Sequence, residues 1–412
     1  MSKESKGREM TQKKNEKWIK KRHKTVTELL RKVIGPYTVW KYGIDVVKFD
    51  RQEERPYLIL MNHQTGFDQF FVGMAFDCPI YYLATEDIFS MGWVSSVIRY
   101  LVEPIPIKKQ TTDLQAIRNC IKVAKEGGTI AIAPEGNRTF DGRTVYINPS
   151  IATLAKKLNM PIAIFRIEDG YGVQPRWSDV VRKGKMKAYV SRVIEPEEYK
   201  EMAKEELADL ITKELYVNEA SVSGTFRHKK SAEYLERVVY VCPECGLTTF
   251  ESRNDVITCK KCGCTIQYLP TKELKGVDSE FPFRFVAEWY DYQKAFVNRL
   301  DTEEYKELPL YEEKVSLYEV IINKNKNLIQ KDMDVALYGD KMILLGQKEF
   351  VFSFDDVSVI TVLGKNKLNI YHDQNVYQLK GDKRFNALKY MNIFYRHKNI
   401  IGGNENGEFL GL

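Results

Sequence analysis

The first half of the chain alternates short apolar runs with segments whose apolar residues recur every three or four positions. Runs at 56–61, 79–84, 102–107, 128–133, 161–167 and 185–194 read as buried strands, and the periodic segments 68–76, 86–101, 112–126, 150–158 and 196–215 read as helices. The helix at 112 is marked at both ends, by Thr112 and Gln115 at capping-box spacing and by Gly127-Gly128. Strand and helix alternating in this way predict an α/β layer fold, a mixed sheet flanked by helices. Between 216 and 237 the periodicity fades into Ser221-Val222-Ser223-Gly224, which predicts a linker. An aromatic-rich helix follows at 281–300, with Trp289, Tyr290 and Tyr292. Beyond Tyr318 short apolar runs such as Val335-Ala336-Leu337-Tyr338 and Met342-Ile343-Leu344-Leu345 are separated by turns such as Gly339-Asp340, and a helical pattern at 383–397 closes the chain.

That last region predicts a small, mostly β C-terminal domain that resembles pleckstrin-homology-like barrels. The expected layout is a basic N-terminal arm and helix (1–50), an α/β domain (51–215), the linker (216–237), a cysteine module (238–270), and a helix plus β-barrel (271–412).

Charge is distributed unevenly. Residues 1–32 hold twelve Lys/Arg against four Glu, a net of +8, while the whole chain carries +7. Such an arm suits an anionic membrane surface or nucleic acid. No run approaches the roughly 18 apolar residues of a membrane span, and the N-terminus lacks the apolar core of a signal peptide. The expected location is therefore the cytoplasm, peripheral on the inner face of the membrane. The apolar stretch 88–101 reads as a buried core helix, with an acyl-chain groove or a membrane-dipping segment as the alternatives.

Five of the seven cysteines crowd into one segment. Cys242-Pro-Glu-Cys245-Gly and Cys259-Lys-Lys-Cys262-Gly are two knuckles at the spacing of a structural zinc ribbon, in which four thiolates close a tetrahedral site. Cys264 reads as a bystander, and Cys78 and Cys120, alone in apolar segments, as core residues.

Two loops carry candidate chemistry. Asn62-His63-Gln64-Thr65-Gly66-Phe67-Asp68 follows the strand at 56–61, and Ala133-Pro134-Glu135-Gly136-Asn137-Arg138-Thr139 follows the strand at 128–133. Loops at strand ends are where open α/β sheets place ligands. His63 with Asp68 five positions on offers a base with a carboxylate to orient it, and Arg138 offers a planar anion clamp.

These residues resemble the glycerolphosphate and lysophosphatidate acyltransferase family, whose first motif reads N-H-x-S-x-x-D and whose third reads P-E-G-T-R-S. Thr65, Asn137 and Thr139 replace family serine, threonine and serine. Ile105-Pro106-Ile107-Lys108-Lys109 is similar to the second motif, with lysine where the family has arginine, which keeps the charge without the bidentate fork. Met160-Pro161-Ile162-Ala163-Ile164 is similar to the fourth.

The resemblance implies transfer of an acyl group from acyl-CoA or acyl carrier protein to the hydroxyl of 1-acylglycerol-3-phosphate. His63 and Asp68 would be catalytic. Glu135, Gly136, Asn137, Arg138, Lys108 and Lys109 would bind substrate, and Cys242, Cys245, Cys259 and Cys262 would hold structural zinc. Another lysophospholipid or glycerolphosphate acceptor is the first alternative, since the dyad specifies the reaction and not the acceptor. A zinc-ribbon nucleic-acid-binding protein is the second, disfavoured by the ribbon's near balance of charge.

Overall fold

A computed structural model describes residues 17–50, 55–85, 88–89, 92–107, 113–321, 326–404, 407 and 409–411. The first unit contains strands β1 (Ile44–Val46), β2 (Leu58–Met61), β3 (Ile80–Thr85), β4 (Ile105–Ile107), β5 (Thr129–Ile132), β6 (Ile162–Glu168) and β7 (Met186–Ile194). Its helices are α1 (Lys21–Tyr42), α2 (Asp68–Ala75), α3 (Trp93–Val102), α4 (Leu114–Lys125), α5 (Ser150–Leu158), α6 (Gly170–Val173), α7 (Pro196–Tyr199) and α8 (Lys204–Leu215). The strands form one mixed sheet in the order β1-β7-β6-β2-β5-β3-β4. β2 is parallel to both β6 and β5, whereas β7 runs antiparallel to β6.

Alternation along β2 explains the layers. Leu58 and Leu60 enter a core shared with α4, α5 and α8, while Ile59 and Met61 enter the opposite core with α2 and Tyr42. Both faces are covered, so β2 and β5 are buried throughout. α4 shows the local logic. Asp113 accepts hydrogen bonds from the Gln115 and Ala116 amides, and Ala116, Cys120 and Val123 form the buried stripe. The cap is thus Asp113, and Thr112 of the expected capping box lies outside the described residues.

Several expectations are revised. The strand expected at 102–107 begins only at Ile105, because α3 runs to Val102 and Glu103 turns the chain at φ 41°. The helix expected at 196–215 is two helices, α7 and α8. The basic arm joins the fold from Trp18 onward. Its indole donates to the Glu103 carbonyl and its amide to the Glu126 carboxylate, and His23 is buried against Tyr81. Residues 1–16 of that arm lie outside the described residues. Segment 216–237 is a packed strap and not a free tether. Phe226 is buried so closely against Gly172 and Gly184 that a Cβ at either would come within 2.5 and 2.4 Å of its ring.

Downstream lies the cysteine module with β8 (Val241–Cys242), β9 (Gly246–Leu247), β10 (Phe250–Arg253), β11 (Val256–Cys259), β12 (Thr265–Tyr268) and β13 (Leu274–Gly276), followed by α9 (Val286–Asn298). Then come β14 (Tyr311–Glu319), β15 (Asn327–Leu337), β16 (Lys341–Leu345), β17 (Phe350–Ser353), β18 (Val357–Leu363), β19 (Lys367–His372), β20 (Asn375–Lys380) and α10 (Ala387–Ile401). These seven strands form an antiparallel, nearly closed barrel ordered β17-β16-β15-β14-β20-β19-β18, with α10 packed on β18 and β19. The mostly β C-terminal domain expected from the sequence is therefore present.

The units share one core, which runs from Phe140, Tyr171 and Trp177 of the α/β unit through the cysteine module into the barrel. Buried arginines stitch them together. Arg182 donates to the Ser231 carbonyl and the Tyr268 hydroxyl, and Arg237 donates to the carbonyls of Trp177 and Lys383 and to Asp179.

Candidate active site

β2 and β5 are adjacent and parallel, so the loops leaving their C-terminal ends lie side by side. From β2 the chain passes through α2 to β3, beyond β5, and from β5 it passes through α5 to β6, beyond β2. The connections diverge here, and the two crossover helices lie on opposite faces, which opens a crevice at this point of the sheet.

The first loop is built around Asp68. This carboxylate is fully buried and accepts from His63 Nδ1 at 2.7 Å, from the amides of Gln64 and Thr65, and from the Thr65 hydroxyl. Threonine thus makes the loop-closing contact in place of the family serine. Asn62 is fixed separately, exchanging hydrogen bonds with Ile167 N and O as if β2 continued alongside β6. With Nδ1 held by Asp68, Nε2 is the ring nitrogen left for another partner, and His63 lines the cavity. Among the described residues Nε2 has no hydrogen-bond partner.

The second loop turns at Gly136, whose φ of 67° favours glycine. Glu135 is buried, and both its oxygens are taken by backbone amides, Oε1 by His63 N at 2.7 Å and Oε2 by Val145 N at 2.9 Å. Burial pushes its carboxyl up to about 8, while the two amides pull the other way. Its structural work is to clamp the histidine loop to the following segment, and among the described residues it forms no ion pair with Arg138. The Arg138 guanidinium lines the cavity without an ion-pair partner among the described residues. Burial lowers its proton affinity, and the nearby Asp68 charge raises it; it remains a cation. Gly136 and Asn137 also line the cavity, whereas Lys108 and Lys109 lie outside the described residues.

The cavity encloses about 1510 Å³. Away from the polar loops its walls are apolar, with Ile34 from α1, Phe70 and Met74 from α2, Leu83 from β3, Ile98 from α3 and Ile117 from α4. Such a volume with one polar end suits an amphiphile. Sequence reasoning missed Arg176, which is buried beneath the second loop and donates to the Arg138 carbonyl at 2.8 Å.

Residues 43–168 match the acyltransferase family. The α/β unit is acyltransferase-like over these residues. Over 168 residues the chain is 24% identical to a 1-acyl-sn-glycerol-3-phosphate acyltransferase of Bacillus subtilis strain 168, covering 39% of this chain and 81% of that protein. It is 21% and 20% identical over 165 residues to chloroplastic enzymes of the same name from Brassica napus and Arabidopsis thaliana, and it spans about half the length of each (47% and 46%). A crystal structure titled as the 1-acyl-sn-glycerophosphate (LPA) acyltransferase of Thermotoga maritima aligns at 22% identity and a TM-score of 0.40, covering 46% of this chain and 77% of that one.

Residues 235–270 match a zinc-ribbon family described as the 7 kDa subunit of DNA directed RNA polymerase. Here the sulfurs of Cys242, Cys245, Cys259 and Cys262 all lie within 4.8 Å of one another, with Cys242 to Cys262 at 3.7 Å and Cys245 to Cys259 at 3.5 Å. A tetrahedron with Zn–S bonds of about 2.3 Å has edges of about 3.8 Å, so the four thiols fit zinc. Cys264 is not among the four.

The apolar segment around Trp93 is not a buried core helix. Trp93 is 78% exposed, and Val97 and Tyr100 are exposed beside it. The sequence could not reveal this, because a helix apolar on most sides does not say which side is covered.

Proposed function

We propose that the protein acylates the free hydroxyl of 1-acylglycerol-3-phosphate with a thioester donor, acyl-CoA or acyl carrier protein, making phosphatidate. The observation that carries this reading is the His63–Asp68 pair at the polar end of an apolar cavity that also holds the Arg138 cation.

In this reading Asp68 holds the Nδ1–H tautomer, so His63 Nε2 takes the hydroxyl proton as the acceptor oxygen attacks the thioester carbonyl. The C–O bond forms, the C–S bond breaks, and the imidazolium returns its proton to the departing thiolate. The acceptor oxygen is itself the nucleophile, so the scheme needs no acyl-enzyme. Arg138 receives the phosphate, and the apolar walls receive an acyl chain. Thiol release from acyl-CoA with a panel of lysophospholipids and glycerol-3-phosphate tests the reading, and no thiol release with any acceptor would overturn it.

Arg138→Lys should raise KM for the acceptor several-fold more than KM for the donor, because an ammonium cannot reproduce a two-pronged contact with phosphate. Steady-state kinetics with each substrate varied in turn will check this. An effect confined to the donor would reassign the arginine.

The membrane surface suits two exposed stripes. On α1, Leu29, Val33, Tyr37 and Trp40 recur at helical spacing opposite the packed face of His23, Gly35, Thr38 and Tyr42, and Trp40 is 80% exposed. α3 adds Trp93, Val97 and Tyr100, and Arg22 of α1 lies over the Tyr100 ring. Lys24 and Lys32 are exposed on α1 to meet anionic headgroups. No helix among the described residues is long and apolar enough to cross a membrane. Replacing both Trp40 and Trp93 with serine should weaken binding to anionic vesicles about tenfold or more, while turnover of a soluble short-chain acceptor persists. Equal co-sedimentation of variant and parent would remove these stripes as the contact. Deleting residues 1–32 is not an equivalent test, since Trp18 and His23 belong to the fold.

The zinc is proposed as structural. All four thiols are used, which leaves no open coordination position for a reacting group.

A further inference from the structure

The barrel reaches the candidate active site. The turn between β18 and β19 sends Leu363 and Gly364 to the cavity wall, and Phe409 and Gly411 from the C-terminal segment line it as well. None of these residues falls within the region matched to the acyltransferase family, which ends at 168. The wall is an addition carried by this chain.

Arg176 shows how tightly the wall is attached. Its guanidinium, 2% exposed, donates from Nη1 to the Arg138 carbonyl at 2.8 Å, from Nε to the Gly364 carbonyl at 2.7 Å and from Nη2 to the Val362 carbonyl at 2.9 Å. It also stacks 3.9 Å from the centre of the Phe140 ring. Only one guanidinium's width therefore separates the main chain of Arg138 from the barrel turn. Its three bonds go to carbonyls on both sides of the junction, so the planar fork fixes both pieces together. The other edge is fixed too. Leu410 is buried and its carbonyl accepts from Asn392 of α10, while Phe409 packs edge-on to Tyr146 at 6.1 Å.

We propose that the barrel is part of the acyltransferase active site: Leu363 and Gly364, held by Arg176 as a positioning residue, wall the phosphate end of the cavity and select acceptors with a bare phosphomonoester headgroup. This rests on the acyl-transfer reading above. Size and charge both argue for it. A wall one side chain from the Arg138 backbone leaves little room for an alcohol esterified to the phosphate. The turn also carries Lys365, paired with Asp179 at 2.9 Å and close enough to Arg138 for each to feel the other's charge. A phosphomonoester brings a charge of about −1.5 to −2 near pH 7. A choline or ethanolamine diester brings a single negative charge and adds a cation facing these cations.

The test compares wild type, Leu363→Ala, Arg176→Lys and Arg176→Met, full-length, with acyl-CoA and either lysophosphatidate or lysophosphatidylethanolamine. Wild type should prefer lysophosphatidate. Leu363→Ala should raise kcat/KM for lysophosphatidylethanolamine relative to that for lysophosphatidate about tenfold. Arg176→Met should raise the acceptor KM more than the donor KM, and Arg176→Lys should recover part of that loss. If Arg176→Met fails to fold, Leu363→Ala decides alone. An acceptor ratio unchanged within twofold in Leu363→Ala, with wild type active on lysophosphatidate, overturns the wall and leaves the acyl-transfer reading standing. Wild type that consumes no thioester with either acceptor overturns both.

Discussion

His63→Ala should lower kcat for acyl transfer by about 10²–10⁴, the usual contribution of a positioned general base, while leaving the melting temperature nearly unchanged. The imidazole side chain is 27% exposed at the cavity, so its removal opens little core. Asp68→Asn is a harsher change than its size suggests. The carboxylate accepts from the imidazole, two amides and the Thr65 hydroxyl. An amide would turn its NH₂ toward one set of these donors and unseat the loop, so activity and stability should fall together. The two variants separate chemistry from architecture: activity within a few-fold of wild type in His63→Ala would exclude it as the base. Unchanged stability in Asp68→Asn would mean that the loop is held by Asn62 and Glu135 alone.

The two loops were legible because each ends a short, fully buried strand, and adjacent parallel strands bring such loops together. The clustering of Cys242, Cys245, Cys259 and Cys262 was legible because a thiolate site needs a fixed local spacing. Glu135 was not. A Glu immediately before a Gly-x-Arg turn invites an ion pair with the arginine, yet burial beside the His63 and Val145 amides uses both oxygens. The exposed face of α3 was not legible either, since nothing within 93–102 tells which neighbour covers it. Arg176 was the least accessible. Its partner Gly364 is 188 positions away, and a lone arginine between Pro175 and Trp177 carries no local signature of the three carbonyls it satisfies. Features set by local spacing or strand endings can be read from a chain, whereas those set by docking of one unit on another cannot.

The cysteine module should therefore matter beyond its own length. Purified protein should carry about one zinc per chain, and chelation or Cys259→Ser should lower the melting temperature by about 10 °C or more, because metal binding here is folding free energy. The ribbon's side chains do not form a separate core. Phe250 packs edge-on to Trp289 of α9, the Trp289 indole donates to the Val241 carbonyl, and the same core continues into the barrel and back to Trp177. Loss of zinc should first expose 238–270 to protease and then release the barrel from the α/β unit, so acceptor KM should rise before the melting transition is reached. Inductively coupled plasma spectrometry, thermal melts and limited proteolysis of holo and chelated protein will measure this. Metal-free protein with the same protection across 238–270 would refute the structural zinc. A loosened ribbon with unchanged acceptor KM would instead show that the barrel keeps its place through Arg176 and Arg237 without help from the metal.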